Sequence, residues 1–389
     1  MDKRLEQIKF AEDKIRELEQ SNENKNRMSY WADDITTNDY IWHPVPKNVD
    51  CIPFSIEIER AGYAKLLNFS LVKFYTDPIE HVLRNLECMI FKFESFEDCS
   101  PVGKGFPYWA GVGFEASLYG ARQMFSEEDS WSSREHLIKE RIDLNTLQLG
   151  DFYNSPVMKD THEFYNRMVE IMSKDFLVTF PQWCRSPFGV AWPLRGTEDL
   201  IIDFCDDREW FESFIRKLTE DRISWSKQRA KHLGTDLIPV SFFNDEVTNP
   251  IVSPAMYSDV IFDSEVAISN AFGGLSYWHS CGDTTIFIPK INEIPNVHMV
   301  HISPWTDLAS AVKGYSKTKA LEIVLNPVED ILYPKDESIP KKKLEEIKTL
   351  TSFHRSTVRA DGFAVISDQA KELKLIQEWA KMAKKVLIG

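Results

Sequence analysis

The stretch Ile52-Pro53-Phe54-Ser55-Ile56-Glu57-Ile58-Glu59 alternates in period two. Ile52, Phe54, Ile56 and Ile58 share one face, and Ser55, Glu57 and Glu59 share the other. That period is the signature of a β-strand. Further short apolar runs follow at 111–114, 188–192, 237–243, 275–278, 297–302, 321–325 and 362–366. Amphipathic helical patterns separate them at 162–174, 197–232, 254–270 and 341–354. Strands alternating with helices build a parallel sheet. About eight strands over roughly 340 residues suit a (β/α)8 TIM barrel of the α/β class. A doubly wound sheet is the alternative, but it carries a glycine-rich phosphate turn after an early strand. Neither Gly103-Lys104-Gly105 nor Gly111-Val112-Gly113 has that spacing.

Upstream of this pattern the texture differs. Residues 1–27 are densely charged, with sparse apolar positions at Leu5, Ile8, Phe10, Ile15 and Leu18, the pattern of an exposed helix. Residues 28–50 are irregular and aromatic, with Trp31, Tyr40 and Trp42. We read 1–45 as an N-terminal extension and 46–389 as the barrel. Two roles are open to the extension: covering the barrel mouth, or a contact in a homodimer.

Composition narrows the function. The chain has 389 residues, 43% apolar and 27% charged, which is globular and excludes a disordered chain. Its net charge is −14, and an acidic chain repels phosphate backbones, so nucleic acid is not an expected partner. The densest basic run, Lys341-Lys342-Lys343, is followed at once by Glu345-Glu346. No run approaches the length of about 18 apolar residues that spans a membrane. Cys51, Cys88, Cys99, Cys184, Cys205 and Cys281 are scattered, with no CxxC pair, as in a reducing compartment. Met1-Asp2-Lys3-Arg4-Leu5-Glu6 lacks the apolar segment of a signal peptide. A cytoplasmic protein is the expectation.

In a parallel barrel the chemistry sits where strands end. In Trp278-His279-Ser280-Cys281-Gly282-Asp283, His279 and Cys281 are two apart and project together if the strand continues. Imidazole and thiolate are both zinc ligands, although a buried histidine beside an inert cysteine has the same spacing. The run Ile238–Phe243 ends in Asn244-Asp245-Glu246, where Asp245 is either a site carboxylate or a helix cap. Glu57, Glu59 and Arg60 end the first strand, as site groups or as a structural ion pair. Asp368 follows the last apolar run, as a ligand or as the cap of the final helix. His298 and His301 have opposite parity on one strand, so at most one faces the mouth, and His301 is nearer its C-terminal end. Arg185 and Arg195 bracket 187–192. Phe106, Tyr108, Trp109 and Phe114 form an aromatic group that lines a flat pocket or fills core. No GxSxG or HExxH motif is present.

At His279-Ser280-Cys281-Gly282-Asp283 the sequence resembles the uroporphyrinogen decarboxylase superfamily, in particular its branch of cobalamin-dependent methyltransferases. Ser253-Pro254-Ala255-Met256-Tyr257, Asp245-Glu246, the segment 187–198 and Arg60-Ala61-Gly62-Tyr63 are similar to further family segments. The resemblance runs from about residue 50 to the C-terminus and implies a (β/α)8 barrel with its site at the strand C-termini. In that branch the His-x-Cys-Gly motif binds zinc, which makes His279 and Cys281 metal ligands. The thiol-methylating enzymes add a later Cys, but no Cys follows Cys281 here. Asp368 stands near that place and Glu246 is another oxygen donor, and such a harder site suits an ether oxygen better than a thiolate. The chain is thus similar to the O-demethylase methyltransferases of anaerobes. They move the methyl group of a small donor, here expected to be a methoxylated aromatic, to the Co(I) corrinoid of a partner protein. The chain itself lacks the corrinoid-ligating Asp-x-His-x-x-Gly. The resemblance leaves Glu57, Glu59, Arg60, Asp245 and His301 as catalytic candidates. The alternatives are a methylcobalamin:thiol methyltransferase, a metal-free decarboxylase of the same fold, and a non-enzymatic binding protein.

Overall fold

The computed structural model describes residues 2–32, 43–132, 135–365 and 367–389. Tyr40, Trp42 and Ile366, named above, lie outside the described residues. Ten strands occur among them: β1 (Phe54–Ile58), β2 (Gly105–Pro107), β3 (Gln123–Phe125), β4 (Ser130–Ser132), β5 (Leu177–Thr179), β6 (Val240–Phe243), β7 (Leu275–His279), β8 (Met299–Ile302), β9 (Ala320–Leu325) and β10 (Ser356–Phe363). Six of them form one parallel sheet in the order β1-β10-β9-β8-β7-β6. The pair β2-β5 is a second parallel unit, and β3-β4 is a small antiparallel hairpin. A single parallel bridge, Arg185↔Phe243, ties the chain after β5 to the edge strand β6.

The architecture is therefore α/β and TIM-barrel-like. Among the described residues the ladder is not closed, because no strand pairing joins β1 to β2. That departs from the closed eight-stranded barrel expected above. The short β2 and β5 explain it, since three residues give few ladder hydrogen bonds to carry the sheet onward.

Most apolar runs of the second half are strands where the alternation put them, but two earlier ones are not. Residues 188–192 lie in the helix Pro187–Arg195, where Ser186 caps the Gly189 amide at 2.8 Å and proline occupies the first turn. Ser-Pro before an apolar run is a helix start, and that local signal decides the short apolar run. Residues 111–114 form a turn leading into the short helix Phe114–Ser117. The last strand also begins earlier than its apolar run, at Ser356, because Thr357, Arg359 and Asp361 are polar. The long pattern 197–232 is split at Asp207 into Thr197–Asp206 and Arg208–Leu233.

The N-terminal helix Lys3–Gln20 is more than an exposed helix. Ile8, Ala11, Ile15 and Leu18 repeat every three to four residues and are buried in one cluster with Val82, Leu83 and Leu86 of the helix Pro78–Ser95. Phe10 falls off that stripe and is exposed.

One buried carboxyl ties the ends of β6 and β7 to the helix between them. Glu265, in the helix Phe262–Phe272, is fully buried and accepts from Tyr257 Oη at 2.8 Å, from Trp278 Nε1 at 2.9 Å and from the Asn244 amide. Burial pushes its pKa up from 4.5 to about 8, against the pull of those donors. The folded state thus keeps a proton that the unfolded chain has lost. The group's stabilisation is full below the unfolded pKa and disappears as pH rises through the folded one. Glu265→Gln cannot titrate, so between about pH 5 and about pH 8 it gains stability relative to the native chain. Urea unfolding at several pH values measures this, and a stability difference independent of pH contradicts it.

Candidate functional site

The ends of β6 and β7 are level. Phe243 pairs with His279 in the ladder, and the Asn244 amide donates to the His279 carbonyl at 2.8 Å, extending the pairing one residue further. Ser241, Phe243 and Asp245 share one parity, and so do Tyr277, His279 and Cys281. The result is a tight group of three donors. His279 Nε2 lies 2.9 Å from Asp245 Oδ1 and 3.0 Å from Cys281 Sγ, and one donor atom from each residue falls within 4.8 Å of the others.

Gly282 permits this approach. A Cβ there would stand 1.9 Å from Thr248 Oγ1, so only glycine lets the loop after β7 close on the loop after β6. The Asn249 amide then donates to the Asp283 carbonyl at 2.9 Å and locks the two loops together.

Charge distribution marks the group as unusual. Burial alone would raise Asp245, but the charge and hydrogen bond of His279, with Arg185 behind it, hold its carboxyl well below the ordinary range. The Cys281 thiol is packed among protein atoms on its inner side and faces Asp245, and both effects push its pKa well above 9. The pair of acidic groups can be ionised together only with a positive charge between them.

Other candidates fall in different places. Glu246 pairs with the Arg185 guanidinium and is not one of the three clustered donors. Its parity is opposite to that of Asp245, which accounts for the exchange. Asp368 caps the helix Gln369–Ala383, accepting from the Lys371 amide at 3.0 Å, and is exposed. Glu57 pairs with Lys92. Glu59 sits at the N-cap of the helix Arg60–Leu66, and the Arg60 guanidinium lies 5.4 Å from the centre of the Phe74 ring. His301 is buried, its ring 4.1 Å from that of His279, and its Nδ1 has no hydrogen-bond partner among the described residues. His298 is exposed. Arg195 is bound to Asp203 at 2.8 Å, away from this group.

A cavity of about 270 Å³ runs from the Asp245 side of the group. Tyr108, Trp109, Phe114, Phe180 and Phe243 line it, with Arg185, Glu115 and Gln182 as polar groups. Phe106 does not; it belongs to the cluster under the N-terminal helix. Glu115 fixes the wall by accepting from the Cys184 and Arg185 amides at 3.0 and 3.1 Å.

Sequence reasoning did not reach Tyr277, Glu322, Arg359 or His43, which form a buried polar group beside His279. The signal was available for Arg359, since Val358 and Ala360 alternate with Thr357, Arg359 and Asp361. His43 carried none, because it stands outside any regular element.

No model of a known protein family matches the chain, and no curated protein matches it in sequence. Among solved structures it is similar to a methyltransferase from Methanosarcina mazei, at 11% identity and a TM-score of 0.63. The similarity covers 86% of this chain and 95% of that one. At that identity the likeness is one of fold.

The position of Asp368 makes a prediction. Asp368→Ala removes a cap and lowers stability by about 1 kcal/mol, while any metal bound by the protein stays at the native stoichiometry. Urea unfolding beside elemental analysis checks both, and loss of metal contradicts the capping role.

Proposed function

We propose that the chain is a zinc-dependent methyltransferase that takes a methyl group from a small donor, a methoxylated aromatic, for the corrinoid of a partner protein. The observation that carries this reading is the convergence of Asp245, His279 and Cys281 at one end of an aromatic-lined cavity. Imidazole nitrogen, thiolate and carboxylate oxygen are a donor set that fits zinc with a position left for substrate. The two acidic groups packed against one imidazole also favour a cation among them.

Each residue then has a task. His279, Cys281 and Asp245 would hold the metal. When bound, zinc supplies Lewis acidity to the oxygen that leaves with the bonding pair as the methyl group departs. The acceptor is the reduced corrinoid on the partner. The rings of Tyr108, Trp109, Phe114 and Phe243 stack on a flat donor and exclude water from it. Arg185 keeps Glu246 neutralised, so that Asp245 is the carboxylate left for the metal. The donor set has one sulfur only, a harder site than one rich in thiolate, which favours an oxygen leaving group over a sulfur one.

The test joins metal content to turnover. The native chain is expected to carry about one zinc, and the His279→Ala, Cys281→Ala double variant none. Demethylation of a methoxybenzoate with reduced cobalamin as acceptor falls at least about a hundredfold in that variant. A native protein that takes up no zinc, or equal turnover by the variant, contradicts the reading. Release of carbon dioxide from a polycarboxylate by zinc-free protein would favour the decarboxylase instead.

A further inference from the structure

His43 reaches into the sheet interior from outside any strand or helix. Its ring lies flat on that of Tyr277, centroids 3.7 Å apart and planes within 6°. Glu322 of β9 and Arg359 of β10 close the seat at the edge of the ring. His43 Nδ1 lies 3.1 Å from Glu322 Oε1 and 2.9 Å from Arg359 Nη1. His43, Tyr277 and Glu322 are buried. The seat adjoins the aromatic cavity across Phe243, which lines that cavity and whose ring stands 6.1 Å from the His43 ring.

The imidazole does not match this seat. Arg359 can only donate. Burial alone would raise the pKa of Glu322, but His43 and Arg359 face it and keep it a carboxylate, which can only accept. One ring nitrogen cannot answer both. With a hydrogen, Nδ1 serves Glu322 and meets Arg359 N–H against N–H. Bare, it serves Arg359 and sets its lone pair against the carboxylate. Either way one buried charged group is left without its hydrogen bond at this point, which is costly. A hydroxyl oxygen in the same place would donate to Glu322 and accept from Arg359 together. With Tyr277 as a flat wall, the group that fits is a hydroxyl on an aromatic ring.

The chain beside His43 is fastened independently of it. The Ala32 amide donates to the Val45 carbonyl at 2.9 Å, the Lys47 amide donates to the Tyr30 carbonyl at 2.9 Å, and Trp31 bridges to Pro46. Trp31 Nε1 in turn donates to the Cys99 carbonyl at 2.7 Å. None of these bonds passes through the imidazole, so it can leave its seat with all of them intact. We propose that the seat of His43 is a ligand slot for a flat ring carrying a hydroxyl, which the N-terminal segment fills in the ligand-free protein. The slot goes beyond the methyl transfer proposed above and requires neither zinc nor a corrinoid.

The test measures binding of phenol and of anisole by calorimetry, to the full native chain and to His43→Ala, without metal. Emptying the seat tightens phenol at least about tenfold, because a slot filled by its own chain binds with an affinity reduced to the fraction that stands open. Anisole keeps the ring and lacks the hydroxyl hydrogen, so it binds the variant at least about tenfold more weakly than phenol does. In native protein with 13C-labelled histidine, saturating phenol moves the His43 ring signal to that of an exposed histidine, while the Ala32 amide stays protected from exchange. No phenol binding by a variant that melts like the native chain overturns the proposal. So does equal phenol affinity of native chain and variant, or equal affinity of the variant for phenol and anisole. If His43→Ala does not fold, the native spectrum decides, and an unmoved His43 signal overturns it. None of these readouts uses zinc or turnover, so failure of the functional reading leaves them unaffected.

Discussion

The hydrogen bond from the Asn244 amide to the His279 carbonyl sets β6 and β7 level at their ends, and the site depends on that alignment. A slip of one residue would turn Asp245 away from His279 and bring Glu246 in its place. The alignment is enforced from outside the sheet. Glu265 receives the Asn244 side-chain amide and Trp278 together, one from each strand end, and Ser186 Oγ donates to Asn244 Oδ1 at 2.6 Å. From inside it is enforced by Gly282, whose missing side chain lets the two loops touch. Packing on one face of the sheet and chemistry on the other thus share the same register.

The interior of the sheet is polar in a way that a core built for stability alone would not be. Glu57, Tyr277, His301, Glu322 and Arg359 come from five strands, and His43 joins them from the N-terminal segment. Buried charges are costly unless paired and hydrogen-bonded, and nearly all of these are. Glu57 meets Lys92, Glu322 meets Tyr277 and His43, and Arg359 meets Asp361 at 2.8 Å. The exception is the Nδ1 of His301, beside His279.

Much of the parallel sheet was legible in the sequence because period two survives wherever one face of a strand meets helices. β1, β6, β7, β8 and β9 follow their apolar runs. Between β1 and β6 the chain was less legible because the strands there are three residues long, too short to show a period. The His-x-Cys spacing brought His279 and Cys281 together on parity alone. The sequence reading took Glu246 as the oxygen donor, but Asp245, in step with Phe243, is the carboxylate that stands beside His279. Asp368 was ambiguous because an aspartate after a strand reads equally as ligand and as cap. His43 was beyond reach, since its place depends on a fold-back of some 300 residues in sequence separation, from Glu322 and Arg359 to the N-terminal segment.

The central claim is that Asp245, His279 and Cys281 are one metal site. X-ray absorption at the zinc edge of the native protein tests it most directly, because it counts ligand types without reference to turnover. The account predicts a mixed shell, with one sulfur at about 2.3 Å and nitrogen or oxygen neighbours at about 2.0–2.2 Å. A shell of nitrogen and oxygen alone, or one with two or more sulfurs, would contradict it.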